Sequence, residues 1–302
     1  MASAAPSNPQ PPTPSAAPVV SLADGAVDPT LRTKWGAGDN ELGHLVQAEG
    51  NPEGPMSLAR AGDDLLVLDQ VNNRIVRYSG GKQVGSFAAT ATTQDVVVAK
   101  DGTIVTLDRL KEKSLRFYDK DGRERAQLSI PTDRVKDPGL VTGLFTDDKD
   151  VYLEESHGAL VRIGTTDGRL ADAVKLSGRP SKDGKLLVSA TLVGSKLTVN
   201  AFDRASGTLR FARVIPYPEP TREVALLDTD ARGIIYAGVG GEEAVTVACL
   251  EPAEGKVIGR VAIESSMMPE EAFKDFIVTD DGTIQSSFRT EDGVEYRVAR
   301  CP

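Results

Sequence analysis

Apolar and polar residues alternate along most of this chain with a period of two. The stretch "LLVLDQVNNRIVRY" (65–78) is representative. An apolar run stops at Asp69, turns over at Asn72 and Asn73, and resumes as a second run flanked by arginines. That period puts successive side chains on opposite faces of an extended strand, and helical spacing is nearly absent beyond the first thirty residues. Gly- and Asp-rich turns separate the runs: "KDG" at 100–102, 120–122 and 182–184, "TDG" at 166–168, "DDG" at 280–282 and "EDG" at 291–293. Asp-Gly between apolar runs is a hairpin signal, because glycine reaches the positive φ that a tight turn requires.

The pattern also repeats over a longer period. The triplet "VRY" (76–78) returns as "LRF" (115–117), "VRI" (161–163), "LRF" (209–211) and "YRV" (296–298), with "VTV" (245–247) in the missing place. The mean interval is 44 residues, the length of a four-stranded propeller blade. The sequence therefore predicts an all-β fold, a six-bladed β-propeller of four-stranded antiparallel blades over residues 31–302. Blade one reads "MSLARA", "LLVLDQ", "RIVRY" and "KQVGSF" from the axis outward. In blade four, "LVSATLV" is expected innermost, followed by "KLTVNAF" and "TLRFARV". Blade six offers only three strands before the chain ends. An open blade leaves exposed edges, so an N-terminal strand is expected to close it, with "LGHLVQ" (42–47) as the candidate.

The segment "GPMSLARAGDDLLVLDQVNNRIVRYS" (54–79) resembles the NHL-repeat family of β-propellers. Pro55, Asp69, Asn73, Arg74, Ile75 and Tyr78 stand at the matching places, and "KWGAGDNELG" upstream is similar to that family's glycine-rich lead-in. The resemblance implies a six-bladed ring used mostly for binding and in some branches for catalysis.

Composition narrows the function classes. Of the first twenty residues, fourteen are Ala, Pro or Ser, which predicts a disordered tether over residues 1–30. Such tethers often follow a bacterial signal or lipoprotein anchor, so an extracytoplasmic location (periplasm or cell surface, with a lipid anchor upstream) is expected, the alternative being a cytoplasmic protein. The net charge of -9 argues against nucleic acid as a partner. No apolar run is long enough for a transmembrane segment. Cys249 and Cys301 read either as two unrelated thiols or as a single disulfide holding the C-terminus.

Catalytic signals are sparse. The two histidines, His44 and His157, cannot supply a multi-histidine metal site, so no metal or cofactor is expected. "DKDG" (119–122) lacks the later ligands of a calcium loop, and nucleophile-elbow and phosphate-loop motifs are absent. The single Trp35 argues against a quinoprotein propeller, whose blades repeat tryptophan docking motifs. The main reading is a non-enzymatic module that binds a protein or peptide partner. The alternative is a calcium-assisted hydrolase or lyase at the channel mouth.

The binding face is expected on the second-to-third-strand turns. Its candidate residues are Asn72, Asn73, Arg109, Lys111, Lys113, Glu154, Glu155, His157, Arg204, Glu242, Glu243 and Arg289. A recurring acid–arginine spacing (Asp69 with Arg77, Asp108 with Arg116, Glu154 with Arg162, Asp203 with Arg210) is expected to form ion pairs that stiffen the hairpins.

Overall fold

The computed structural model describes residues 30–266, 268 and 271–302; the tether expected over residues 1–30 lies outside them except for Thr30. Six antiparallel sheets form a ring, a six-bladed β-propeller. Blade one consists of Ser57–Ala61, Asp64–Asp69, Arg74–Ser79 and Lys82–Ala88, counted from the axis outward. Blade two is Asp95–Val98, Ile104–Asp108, Ser114–Tyr118 and Glu124–Ser129. Blade three is Val141–Asp147, Asp150–Glu155, Leu160–Thr165 and Lys175–Leu176. Blade five is Val224–Thr229, Ile235–Gly240, Ala244–Leu250 and Val257–Glu264.

Blade four departs from the sequence reading by one strand. Its innermost strand is the two-residue Arg179–Pro180, and Leu186–Val193 is second, Lys196–Asp203 third and Leu209–Pro216 outermost. The turn "SKDG" is what shifts the count. Asp183 accepts the Ser181 hydroxyl (2.6 Å) and the Lys185 N–H (3.1 Å), and Gly184 takes φ +74°. The chain thus already reverses once before "LVSATLV", and it reverses again after it.

Blade six contributes Phe276–Val278, Ile284–Thr290 and Gly293–Ala299, and the N-terminus closes it as expected, but with a different strand. Leu31–Trp35 pairs antiparallel with the third strand, in the register Leu31↔Tyr296 and Thr33↔Val294. Only Leu42 of the expected run 42–47 joins the sheet, in Glu41–Leu42, a fifth strand parallel to Leu31–Trp35. Alternation explains the choice. Leu31 and Thr33 are buried while Arg32 and Lys34 face solvent. Gly43 instead turns toward blade one, where its N–H donates to Asp69 Oδ1 (2.9 Å) and a Cβ would meet Val71 at 2.5 Å.

Faces of neighbouring blades bury apolar side chains against each other. Leu31, Leu58, Leu65, Val67, Val294 and their neighbours fill the seam between blades six and one, and comparable clusters fill the seams one–two, two–three, four–five and five–six. Among the described residues no such cluster joins blades three and four. Two ion pairs cross that seam instead: Glu154 with Arg179 (2.8 Å) and Asp147 with Arg204.

The expected acid–arginine pairs are corrected by the register. Asp69 lies opposite Arg74, and Arg77 lies opposite Leu66, three rows away. Asp69 therefore pairs with Arg74 (2.8 Å), and Arg77 with Asp64 (3.2 Å). In blade three Arg162 likewise takes Asp150 (3.1 Å), while Arg116 binds Glu112 and Glu124. Asp203 with Arg210 (3.0 Å) forms as expected, although across the third-to-outer hairpin.

Candidate functional site

Antiparallel strands send alternate turns to opposite rims. The second-to-third turns share one rim with the connections between blades, and the first-to-second and third-to-outer turns share the other. Buried acids at the ends of second strands pin the first rim. Asp108 Oδ1 accepts the N–H groups of Lys111 (3.0 Å) and Glu112 (3.2 Å), and Asp69 accepts from Asn72 Nδ2 (2.8 Å) as well as from Gly43. These carboxylates satisfy turn N–H groups that an exposed loop would leave to water, so the turns are held in one shape.

The candidate residues divide into two groups. Asn73, Lys111, Lys113, His157, Glu242 and Glu243 are exposed on this rim, and Glu155 is half-buried beside them. Asn73, Lys113 and His157 take positive φ (55°, 50° and 54°), which marks the tightest points of their turns. The others are built into the scaffold. Asn72 also donates to the Gly36 carbonyl (2.8 Å). Arg109 Nη1 donates to the carbonyls of Gly139 (2.9 Å) and Val141 (2.6 Å), and its guanidinium lies 5.0 Å from the Phe273 ring centroid. Arg289, 4% exposed, reaches the Pro55 carbonyl (3.1 Å) and Asp275 (2.9 Å). Arg204 is on the opposite rim, because "RASG" is a third-to-outer turn once blade four is counted correctly.

Glu154 is buried at the inner end of the rim. Arg179 grips it with two hydrogen bonds (2.8 and 2.9 Å), and the Thr142 hydroxyl donates at 3.1 Å. His157 Nδ1 stands 3.7 Å away. Burial by itself would raise this carboxyl. The contacts with His157, Arg179 and Thr142 outweigh it and hold the group at about 2. Arg179 also stacks on Phe145, 4.8 Å from its centroid, and donates to the Leu227 carbonyl of blade five (2.7 Å). One arginine thus ties three blades together.

Inner strands of all six blades line a central cavity of about 1510 Å³. Most of its charges are matched. Lys274 reaches Asp95 (2.8 Å), Lys182 lies 3.6 Å from Asp228, and Arg289 takes Asp275. The Lys274 pair links the approach to blade six with blade two, passing blade one, where the N–H groups of Phe273 (2.7 Å) and Lys274 (3.1 Å) donate to the Met56 carbonyl. Among the described residues no group of three or more His, Cys, Asp or Glu side chains is arranged to hold a metal ion. Asp63, Lys100, Glu223 and Asp280 line the cavity without a salt bridge among the described residues, and so does Arg60. The buried Nε of Arg60 also has no hydrogen-bond partner among the described residues. The sequence reading missed this residue, although an arginine within the inner strand "MSLARA" is a polar interruption in an otherwise small and apolar run.

On the opposite rim Cys249 and Cys301 form a disulfide, with Cα atoms 6.4 Å apart. The outward divergence of blades is bridged by the last residues of the chain, which lie against blade five. Pro302 packs on Gly259, where a Cβ would meet it at 3.0 Å. No helix among the described residues is long and apolar enough to cross a membrane.

No family model matches the chain, and no curated protein matches it. Among solved structures, a functionally unknown protein from Desulfotomaculum acetoxidans is similar with a TM-score of 0.53 and 15% identity, over 85% of this chain and 94% of that one. The hydrazine synthase of Kuenenia stuttgartiensis is similar with a TM-score of 0.52 and 17% identity, over 81% of this chain and 80% of that one. At these identities the likeness is one of fold.

Proposed function

We propose that this chain is an extracytoplasmic, NHL-like propeller domain over residues 31–302 that binds a protein or peptide partner without catalysing a reaction. The observation that carries the reading is the rim of second-to-third turns. On blades one and two its turns are held by buried acids, and exposed tips carry opposite charge on different blades: Lys111 and Lys113 on blade two, Glu242 and Glu243 on blade five. Rigid loops lose little entropy on binding, and uneven charge orients a partner more than it adds affinity. The location belongs to the same reading. In an oxidising compartment a disulfide such as Cys249–Cys301 persists.

The test is charge reversal on each rim. The double variant Lys111→Glu/Lys113→Glu is expected to weaken a partner recovered by cross-linking from the host's envelope fraction at least tenfold, with an unchanged melting temperature. Arg123→Glu, on the opposite rim, is expected to leave binding as it was. Equal binding by all three proteins would place the partner elsewhere.

A further inference from the structure

The six blades follow one another around the axis in chain order, so blade two stands diametrically opposite blade five. Their rim tips carry opposite charge. Lys111 and Lys113 are exposed on blade two, where the one acid of the turn, Glu112, is taken up by Arg116 (2.7 Å). Glu242 and Glu243 are exposed on blade five. The main-chain N–H of Arg222 donates to the Gly240 carbonyl (2.8 Å), which brings the preceding connection against this tip. That connection adds Glu219 and Glu223 to a single arginine, so the sector stays acidic. Among the described residues, neither the two lysines nor the two glutamates of the tips make an ion pair within the chain.

Consider a two-fold axis in the plane of the rim, perpendicular to the line from blade two to blade five. It lays the rim on the same rim of a second copy and matches blade two with five, three with four, and one with six. Lys111 and Lys113 then face Glu242 and Glu243 of the other copy, and the contact is made twice, once on each side of the axis. Leu110, 55% exposed beside the lysines, faces Gly240 and Gly241, which set no side chain against it. The remaining tips fit the same arrangement. Glu155 of blade three meets Lys196, exposed at the second-to-third turn of blade four. Glu291 and Asp292 of blade six meet the uncharged Asn72 and Asn73, and Glu271 meets the uncharged connection 89–94. The connections after blades two and four, each of mixed sign, meet one another. Like charges come together at the seam between blades six and one, where Asp39 and Glu49 lie close to the axis.

We propose that this rim is a self-association surface, and that the partner it fits is a second copy of the chain in a two-fold dimer, rim to rim. The inference rests on the rim reading above and names its partner. Charge complementarity sets the register of such a contact more than its affinity. The net charge of -9 on each copy opposes approach at long range. The dimer is therefore expected at about 0.1 M salt, where the screening length of about 10 Å preserves contacts between the tips, and it should weaken at about 1 M, where that length is about 3 Å.

Sedimentation equilibrium of the whole chain is expected to show a concentration-dependent dimer. Lys111→Glu/Lys113→Glu and Glu242→Lys/Glu243→Lys each set like charges together in both contacts. Each is expected to raise the dimer Kd at least tenfold with an unchanged melting temperature. An equimolar mixture of the two variants restores opposite charges in both contacts and is expected to return the Kd of the wild type. A wild type that stays monomeric up to millimolar chain overturns the proposal. So do variants that dimerise like the wild type, or a mixture that stays monomeric. A monomeric wild type leaves the rim reading standing where Lys111→Glu/Lys113→Glu still loses the cross-linked envelope partner, and retention of that partner defeats the rim reading itself.

Discussion

Replacing Glu154 by Gln tests what holds blades three and four together, because that seam relies on ion pairs rather than on a shared apolar cluster. The side chain of Glu154 is 3% exposed and that of Arg179 is 21% exposed, so solvent screens the pair little. The carboxyl is held at about 2, against 4.5 for the free side chain. A difference of about 2.5 units at about 1.4 kcal/mol each is worth about 3.5 kcal/mol, shared among the His157, Arg179 and Thr142 contacts. The sign follows from proton counting. Between these two values the unfolded chain binds the proton and the folded one does not. The stabilisation is therefore complete above pH 4.5 and disappears as pH falls toward 2. Glu154→Gln keeps the shape and one acceptor but removes the charge. Urea unfolding at pH 7 is expected to place the variant about 3.5 kcal/mol below wild type, and by pH 3 the gap should shrink to about half. Other carboxylates titrate equally in both proteins, so the difference isolates this one. A gap that stays constant from pH 7 to pH 3, or one below about 1 kcal/mol at pH 7, would refute the ion-pair account of the seam.

Ring closure is tested at Gly293, where a Cβ would stand 1.9 Å from the Thr33 carbonyl oxygen of the closing strand. Backbone cannot give way as a side chain does, so Gly293→Ala is expected to cost about 3 kcal/mol and to raise amide exchange at Leu31–Trp35, and normal protection of that strand in the variant would contradict it. The Cys249–Cys301 bond closes a loop with a sequence separation of 52. Cys301→Ser is expected to lower stability by up to about 4 kcal/mol on chain-entropy grounds, and the unreduced, unfolded wild type is expected to show no titratable thiol.

Much of the architecture was legible because it is encoded locally. Period-two alternation, the Asp-Gly turns and the interval near 44 residues all act within a few residues or within one repeat. They identified strands, hairpins and six blades before any contact was known. The departures share one origin. Where two segments carry similar local signals, long-range packing chooses between them. Leu31–Trp35 closes the ring in place of the run 42–47, because its alternation puts Leu31 and Thr33 on the buried side while Gly43 is drawn to Asp69. Blade four slipped by one strand because its inner strand is two residues long, too short to show a period.

The candidate sites divide in the same way. Exposed turn residues such as Lys111 and Glu242 could be placed from turn chemistry alone, since a turn between two strands lies at a rim wherever the blade sits in the ring. What a buried polar side chain touches could not be placed. Glu154 was expected to meet Arg162, eight residues away on its own hairpin, and it meets Arg179 of the next blade instead. Arg109 and Arg289 looked like free rim charges and are spent on backbone carbonyls of neighbouring segments. Lys111 and Glu242 stand across the ring from each other only because six sheets close it, which puts blade two opposite blade five. Strand and turn identity depend on the backbone energetics of adjacent residues, which the sequence carries directly. The partner of a buried charge depends on which surfaces the closed ring brings within 3 Å, and only the tertiary structure decides that.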